Sequence, residues 1–281
     1  MKTPADILYR PRGRFRANHV GAHMSSEVGG FGVFRDQAPF LRYPDARRID
    51  LRATLRDPFG ETHVRRFEQR SAIEVYAIVD LSASMGFVGA VDRFAVACDI
   101  CASLAFSVTR IGDRFGLIAG GAGLRDDLFL PATRSRSGAM RAVERLANIR
   151  PASAQAESLA SAAERLGAGR KLVLLISDFR WASPSIESVF NSLVLHDVLP
   201  VALVDSVEFD PPRWGLLELR DAETARRRLM VMRPALRDKW IEAETKRREE
   251  LIRMVSGRAR PPIFIEDRFD PLSLSSRLMA A

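Results

Sequence analysis

Cysteine is scarce, with Cys98 and Cys101 the only two in the chain, and histidine is confined to positions 19, 23, 63 and 196. A structural zinc site needs about four sulfur or nitrogen ligands at short spacing, and these six residues offer no such grouping. The C-x-x-C pair also lacks the strand-to-helix setting that activates a redox thiol. Val91, Phe94, Ala95, Cys98, Cys101, Ala105 and Val108 instead recur on one helical face, so both thiols are expected as small buried core groups. No uncharged apolar run approaches the roughly 18 residues of a membrane span. The Met-Lys-Thr-Pro start runs into charge rather than an apolar segment, which predicts no secretory leader and a soluble, cytoplasmic protein. There is no G-x-x-x-x-G-K loop followed by Ser or Thr, so the chain is not expected to hydrolyse ATP. There is no G-x-S-x-G elbow to present a nucleophilic serine.

Lysine is rare as well, four residues against 39 arginines. The net charge of +8 is uneven: residues 1–70 hold 14 basic against 8 acidic side chains, and the remaining 211 hold 29 against 27. A basic segment of this kind can hold nucleic acid or an acidic partner. No aromatic platform or DNA-reading motif accompanies it, so general arginine usage is the preferred explanation and nucleic acid is not the expected partner.

Residues 1–70 read as an irregular basic segment with strand-like pieces around Arg48–Leu55 and His63–Phe67, too poor in apolar residues for a core of their own. They are expected to pack on a main domain, 71–281. There, Glu74–Val79, Lys171–Ser177 and Pro200–Val204 are nearly unbroken apolar runs, as in parallel strands buried on both faces. Helices are expected from about Gly89 to Thr109, Ser137 to Asn148, Glu157 to Leu166, Pro184 to His196, and Pro234 to Val255. Arg114–Ala119 and Leu124–Leu130 read as strands joined through Gly120, Gly121 and Gly123. Residues 206–233 read as an inserted hairpin, Pro262–Ile265 as a last strand and Pro271–Met279 as a short helix. This alternation predicts an α/β fold with a doubly wound, mostly parallel sheet of Rossmann-like type. Ligands in such sheets bind beyond the carboxyl ends of the strands. The residues just after Val79 and Ser177 are therefore the first candidates, and both places carry an aspartate.

Asp80-Leu81-Ser82-Ala83-Ser84 sets hydroxyls at +2 and +4 from a strand-end carboxylate. Three oxygen groups on one tight turn suit a hard divalent cation such as Mg²⁺. The plain alternative is a loop whose side chains cap the following helix. A phosphatase of the haloacid dehalogenase type would need a carboxylate where Ser82 stands. Gly120–Gly123 joins two strands, which makes it a turn rather than a phosphate cradle.

The Asp80 motif resembles the metal-ion-dependent adhesion site of von Willebrand factor A domains, and Ile176-Ser177-Asp178 resembles their later aspartate loop. Residues 47–54 and 63–67, the inserted hairpin and Arg233–Leu236 resemble the bacterial A-domain family encoded beside MoxR-type AAA+ ATPases. Ile49-Asp50-Leu51 and Asp57-Pro58-Phe59 lean towards its methanol-oxidation branch. The resemblance implies a non-enzymatic, cytoplasmic adaptor of such an ATPase that helps mature or activate a client enzyme complex. It also implies an ion (Mg²⁺, or Mn²⁺ or Ca²⁺) on Asp80, Ser82, Ser84 and Asp178. The chain departs from the family in having Leu51 where many relatives have Trp, and in lacking threonine between Arg134 and Thr224. The position that a ligand threonine would take is Glu157, with Ser158 beside it. Glu157 reads equally as an extra anionic ligand or as a solvated first-turn glutamate. The opposing expectations are a metal-dependent phosphoryl hydrolase and nucleic-acid binding through residues 1–70.

Overall fold

A computed structural model describes residues 3–13, 15, 20–153, 157–220 and 227–280, the side chains of 20–33, 68–71, 157, 219 and 220 aside. The chain divides into two compact units, Gly13–Ile73 and Met1–Arg12 with Glu74–Ala281.

In the smaller unit, β1 (Val20–Pro39) is followed by helix α1 (Leu51–Arg56) and by β2 (His63–Ser71), which pairs antiparallel with β1. The irregular reading of this region, with a strand near Arg48–Leu55, is thereby corrected. The deciding residue is Asp50, whose carboxylate accepts the N–H groups of Arg52 and Ala53 and caps a helix where the sequence alternation suggested a strand. The same carboxylate accepts Gln37 Nε2 and Arg65 Nε, both at 2.8 Å. These donors, Arg65 foremost, hold it well below the usual carboxylate range.

The larger unit runs β3 (Glu74–Asp80), α2 (Arg93–Arg110), β4 (Arg114–Gly120), β5 (Leu130–Thr133), α3 (Arg136–Ala147), α4 (Ala162–Leu166), β6 (Leu172–Ser177) and α5 (Ser183–Ser192). It continues with β7 (Asp197–Val204), α6 (Ser206–Phe209), the hairpin β8 (Gly215–Arg220) and β9 (Arg227–Met232), α7 (Pro234–Val255), β10 (Ile263–Glu266) and α8 (Pro271–Met279). Six strands form one sheet in the order β10-β7-β6-β3-β4-β5, parallel throughout except between β4 and β5. The chain lays down β3, adds β4 and β5 on one side, then β6, β7 and β10 on the other. Strand order therefore reverses between β3 and β6.

The apolar runs of β3, β6 and β7 are buried almost throughout, because helices cover both faces. On one face Tyr76, Ile78, Val173 and Leu175 share a core with Ile186, Val189 and Phe190 of α5 and Leu251 and Val255 of α7. Helices α2 and α3 pack on the sheet elsewhere, α2 against β3, β4 and β7. Cys98 and Cys101 are buried in α2, and burial pushes the Cys98 thiol up to about 12. Pro200 is tolerated inside β7 because β10 begins pairing only at Val201. The expected strand Leu124–Leu130 gives way to turns closed by Leu128 N–H to Arg125 and Phe129 N–H to Asp126, and the edge strand starts at Leu130. No helix among the described residues is long and apolar enough to cross a membrane.

Residues 5–12 form a strap across the amino edge of this unit. Its backbone N–H groups donate to the hydroxyls of Ser103, Ser107 and Ser275 and, from Arg12, to Asp197. Arg260, 2% exposed, ties the strap down. It donates to both oxygens of Asp197 (2.8 and 2.6 Å), to the Leu278 carbonyl (2.9 Å) and to the Arg10 carbonyl (2.7 Å). Removing one partner of such a pair leaves a buried charge uncompensated, which costs about 3–5 kcal/mol. Arg260→Met is expected to lose that much in denaturant unfolding and to speed amide exchange at Ile7, Leu8 and Arg12. A loss below about 1 kcal/mol, in the range of exposed pairs, would contradict this account of the strap.

Candidate functional site

The carboxyl edge of the sheet collects acids. Asp80 ends β3, and Asp178, Asp205 and Asp267 stand just beyond β6, β7 and β10. Strands β3 and β6 are parallel neighbours, with Val79 opposite Ile176. Asp80 and Asp178 thus flank the point of strand-order reversal, where doubly wound sheets bind ligands.

Asp80 is fully buried and its oxygens are met by protein donors. One accepts the Ser82 N–H at 2.7 Å, which folds the chain into a tight Asx turn. The other accepts Ser82 Oγ (2.9 Å), Ser177 Oγ (2.7 Å) and Trp181 Nε1 (3.0 Å). Ser84 Oγ lies 3.2 Å from Ser82 Oγ. Burial, and then the charge of Asp178, push the Asp80 carboxyl up to about 6, against the pull of the Ser177 and Ser82 donors.

Asp178 is held differently. Its Oδ1 accepts the Arg180 N–H at 3.1 Å, and its Oδ2 accepts Arg93 Nη1 at 2.8 Å. Arg93, the first residue of α2, also donates to the Ser84 carbonyl (3.0 Å) and to Glu208 Oε2 (2.5 Å). Arg180 pairs with Glu208 at 3.1 Å and with Glu244 at 3.2 Å. Phe179, between the two, has φ 51°, a left-handed conformation costly for a bulky side chain. Its N–H donates to Ser177 Oγ at 2.8 Å, and its ring lies 5.4 Å from Trp181 and 6.1 Å from Phe190 between centroids. A cavity of about 190 Å³ adjoins this turn, lined in part by Asp178, Trp181, Arg180, Glu208, Glu244 and Arg247. Asp205 accepts the N–H groups of Ala90, Val91 and Val207. A Cβ at Gly89 would lie 2.5 Å from an Asp205 oxygen, so a larger residue there would displace the carboxylate from the loop that leads into α2.

Of the candidates read from the sequence, Asp80, Ser82 and Ser84 share one loop and Asp178 stands beside it. Ser158 turns its hydroxyl to the Gly121 carbonyl at 2.8 Å, past the end of β4. The Glu157 side chain lies outside the described residues. Sequence reasoning missed Arg93, Ser177, Trp181, Asp205 and Glu208. One signal was available for Arg93: a cation in the first turn of a helix opposes the helix dipole, so it needs a compensating anion. The donor set is entirely oxygen, the chemistry of a hard divalent cation, and Asp80, Ser82, Ser84 and Asp178 are the residues that would hold one. In the smaller unit, ligand atoms of Asp57, Glu61 and His63 lie within 4.8 Å of one another, at half-exposed to exposed positions.

A parallel sheet with paired carboxylates and hydroxyls at its reversal point defines an α/β protein with a polar strand-end site. The chain belongs to the family described as "Protein of unknown function DUF58", which matches residues 43–250. It is 28% identical over 243 residues to an uncharacterized protein of Mycobacterium tuberculosis, covering 84% of this chain and 75% of the relative. It is 35% identical over 97 residues to the "Uncharacterized protein in moxR 3'region" of Paracoccus denitrificans, covering 34% of this chain and 92% of that protein. Among solved structures, the conserved hypothetical protein BatB from Bacteroides thetaiotaomicron aligns with TM-score 0.42 and 16% identity, over 74% of this chain and 97% of that one.

The raised Asp80 carboxyl has a sign that can be checked. Folded protein binds this proton more tightly than unfolded protein does, so the contribution is favourable at pH 4 and is lost as pH rises through about 6. The loss is ~3 kcal/mol at the conversion of about 1.4 kcal/mol per pKa unit. In denaturant titrations with EDTA at pH 4 to 7, Asp80→Asn is expected to lack this decline. Parallel pH profiles for the two proteins would show that Asp80 carries no such penalty.

Proposed function

We propose that the carboxyl edge of the sheet is a von Willebrand factor A-type, metal-dependent recognition site. On this reading the protein is a non-enzymatic adaptor of a MoxR-type AAA+ ATPase. The observation that carries the proposal is the Asp80 loop, with hydroxyls at +2 and +4, facing Asp178 across adjacent strand ends. The sheet order supports it: numbered within the sheet, the strands run 3-2-1-4-5-6, with the reversal point at the two aspartates. The Paracoccus denitrificans relative, from a moxR 3' region, supports the choice of partner.

A bound Mg²⁺, Mn²⁺ or Ca²⁺ would supply a Lewis-acid position that a carboxylate of the partner completes. The protein's own part is to hold Asp80 ionised with Ser82, Ser177 and Trp181, and to place Asp178 opposite. Binding is favoured over phosphoryl transfer because Ser82, at the position where a proton donor would be needed, is not acidic enough for that role. The client is inferred to be another enzyme complex, and methanol dehydrogenase is the first to test.

A ligand that binds only the folded state stabilises it by about 2.7 kcal/mol at a hundred times its Kd. Melts with Mg²⁺, Mn²⁺ and Ca²⁺ are therefore expected to shift upward, and Asp80→Ala to abolish the shift. Association with a MoxR-type ATPase of the same organism, followed by ultracentrifugation, should require the ion and fall with EDTA. No shift with any ion, together with ATPase binding indifferent to EDTA, would sink the proposal.

A further inference from the structure

Resting on that metal-site reading, we infer that Arg93 is a built-in counter-ion for Asp178, and that a divalent cation loads the site only as the Arg93–Asp178 pair opens. The guanidinium sits where cation and loop meet: it holds Asp178 Oδ2 at 2.8 Å and the backbone carbonyl of Ser84, a residue of the metal-type loop, at 3.0 Å. Neither side chain of the ion pair reaches solvent, with exposures of 2% for Arg93 and 1% for Asp178. The other Asp178 oxygen is engaged by the Arg180 N–H. An incoming ion thus meets a carboxylate already neutralised by a cation in a dry setting, where like charges are poorly screened.

Arg93 is also built to let go. Its Nε is buried with no hydrogen-bond partner, so the fork is incompletely satisfied as it stands. Its Nη2 holds Glu208 on α6 at 2.5 Å, and its guanidinium carbon lies 5.3 Å from the centre of the Phe87 ring. Glu208 and Phe87 remain as anion and π-face for the guanidinium once Asp178 turns to a metal. Glu208 also belongs to the connection between β7 and the exposed hairpin β8–β9.

The test is a Mn²⁺ titration of the full chain at pH 7.5, reading free Mn²⁺ by electron paramagnetic resonance. Arg93→Met is expected to bind Mn²⁺ on the order of tenfold tighter than wild type, about 1.4 kcal/mol, and Asp80→Ala in that background to remove the gain. Arg180→Met separates direct competition from a general loss of positive charge, because the Arg180 side chain holds Glu208 and Glu244 but not Asp178. It should change affinity less than about threefold on the same scale. Equal gains in the two variants, or no gain in Arg93→Met while wild type binds Mn²⁺, overturn the counter-ion and leave the site standing. If no variant binds Mn²⁺, the metal-site reading falls and the counter-ion inference with it. Should Arg93→Met fail to fold, Arg93→Met/Glu208→Gln removes one of the two acids that lose Arg93 while leaving Asp178 in place, and the same expectations apply to it.

Discussion

A carboxylate shut away from water must either meet donors at its lone pairs or give up its charge, and Asp80 does part of each. Four donors from three residues converge on it, and each residue fixes a different piece of the surroundings. The Ser82 N–H bends the loop that follows β3. The Ser177 hydroxyl locks the end of β6 to the end of β3, and the Trp181 indole draws in the turn after Asp178. Ser177 is shared, because its oxygen also receives the Phe179 N–H and so supports the left-handed turn. Take away the Asp80 carboxylate and these three contacts lose their common acceptor. The arrangement of Asp178, Arg93 and Glu208 inherits its position from the same anchor.

The strands at the centre of the sheet were legible because burial on both faces leaves no room for polar residues. Glu74–Val79 and Lys171–Ser177 announce themselves as nearly unbroken apolar runs. The Asp80 loop was legible because it stands at the end of one. Elements governed by a single polar contact were not. Helix α1 depends on the Asp50 cap in a stretch whose apolar residues alternate like a strand, and β5 begins only after two turns that the glycines of the preceding loop do not foretell. Arg93 hid for another reason. Its acidic partners lie 85 and 115 positions away, and a lone arginine at a helix start carries a warning but no address.

The excess of arginine, which the sequence suggested was general arginine usage, is in part put to internal use. Arg260 spends its fork on Asp197 and two carbonyls; Arg93 is divided between two acids and a carbonyl; Arg114 reaches Glu74 and the Ala132 carbonyl. A planar guanidinium with five fixed donors can close several buried acceptors at once, which an ammonium group cannot match. These residues serve as joints of the larger unit, and formal charge alone says little about which molecules the surface attracts.

The strap and helix α8 bring the two described ends of the chain together, with Arg10 N–H on the Leu278 carbonyl at 3.1 Å and the Arg12 guanidinium on the Ala280 carbonyl at 3.1 Å. This seam is fastened at Asp197, where β7 begins, whereas the acids of the candidate site stand where the strands finish. At about 3.3 Å per residue the eight residues of β7 separate the two edges by roughly 25 Å. A label on the strap or on helix α8 therefore sits about one strand length from the acids of the candidate site, at the opposite edge of the same sheet.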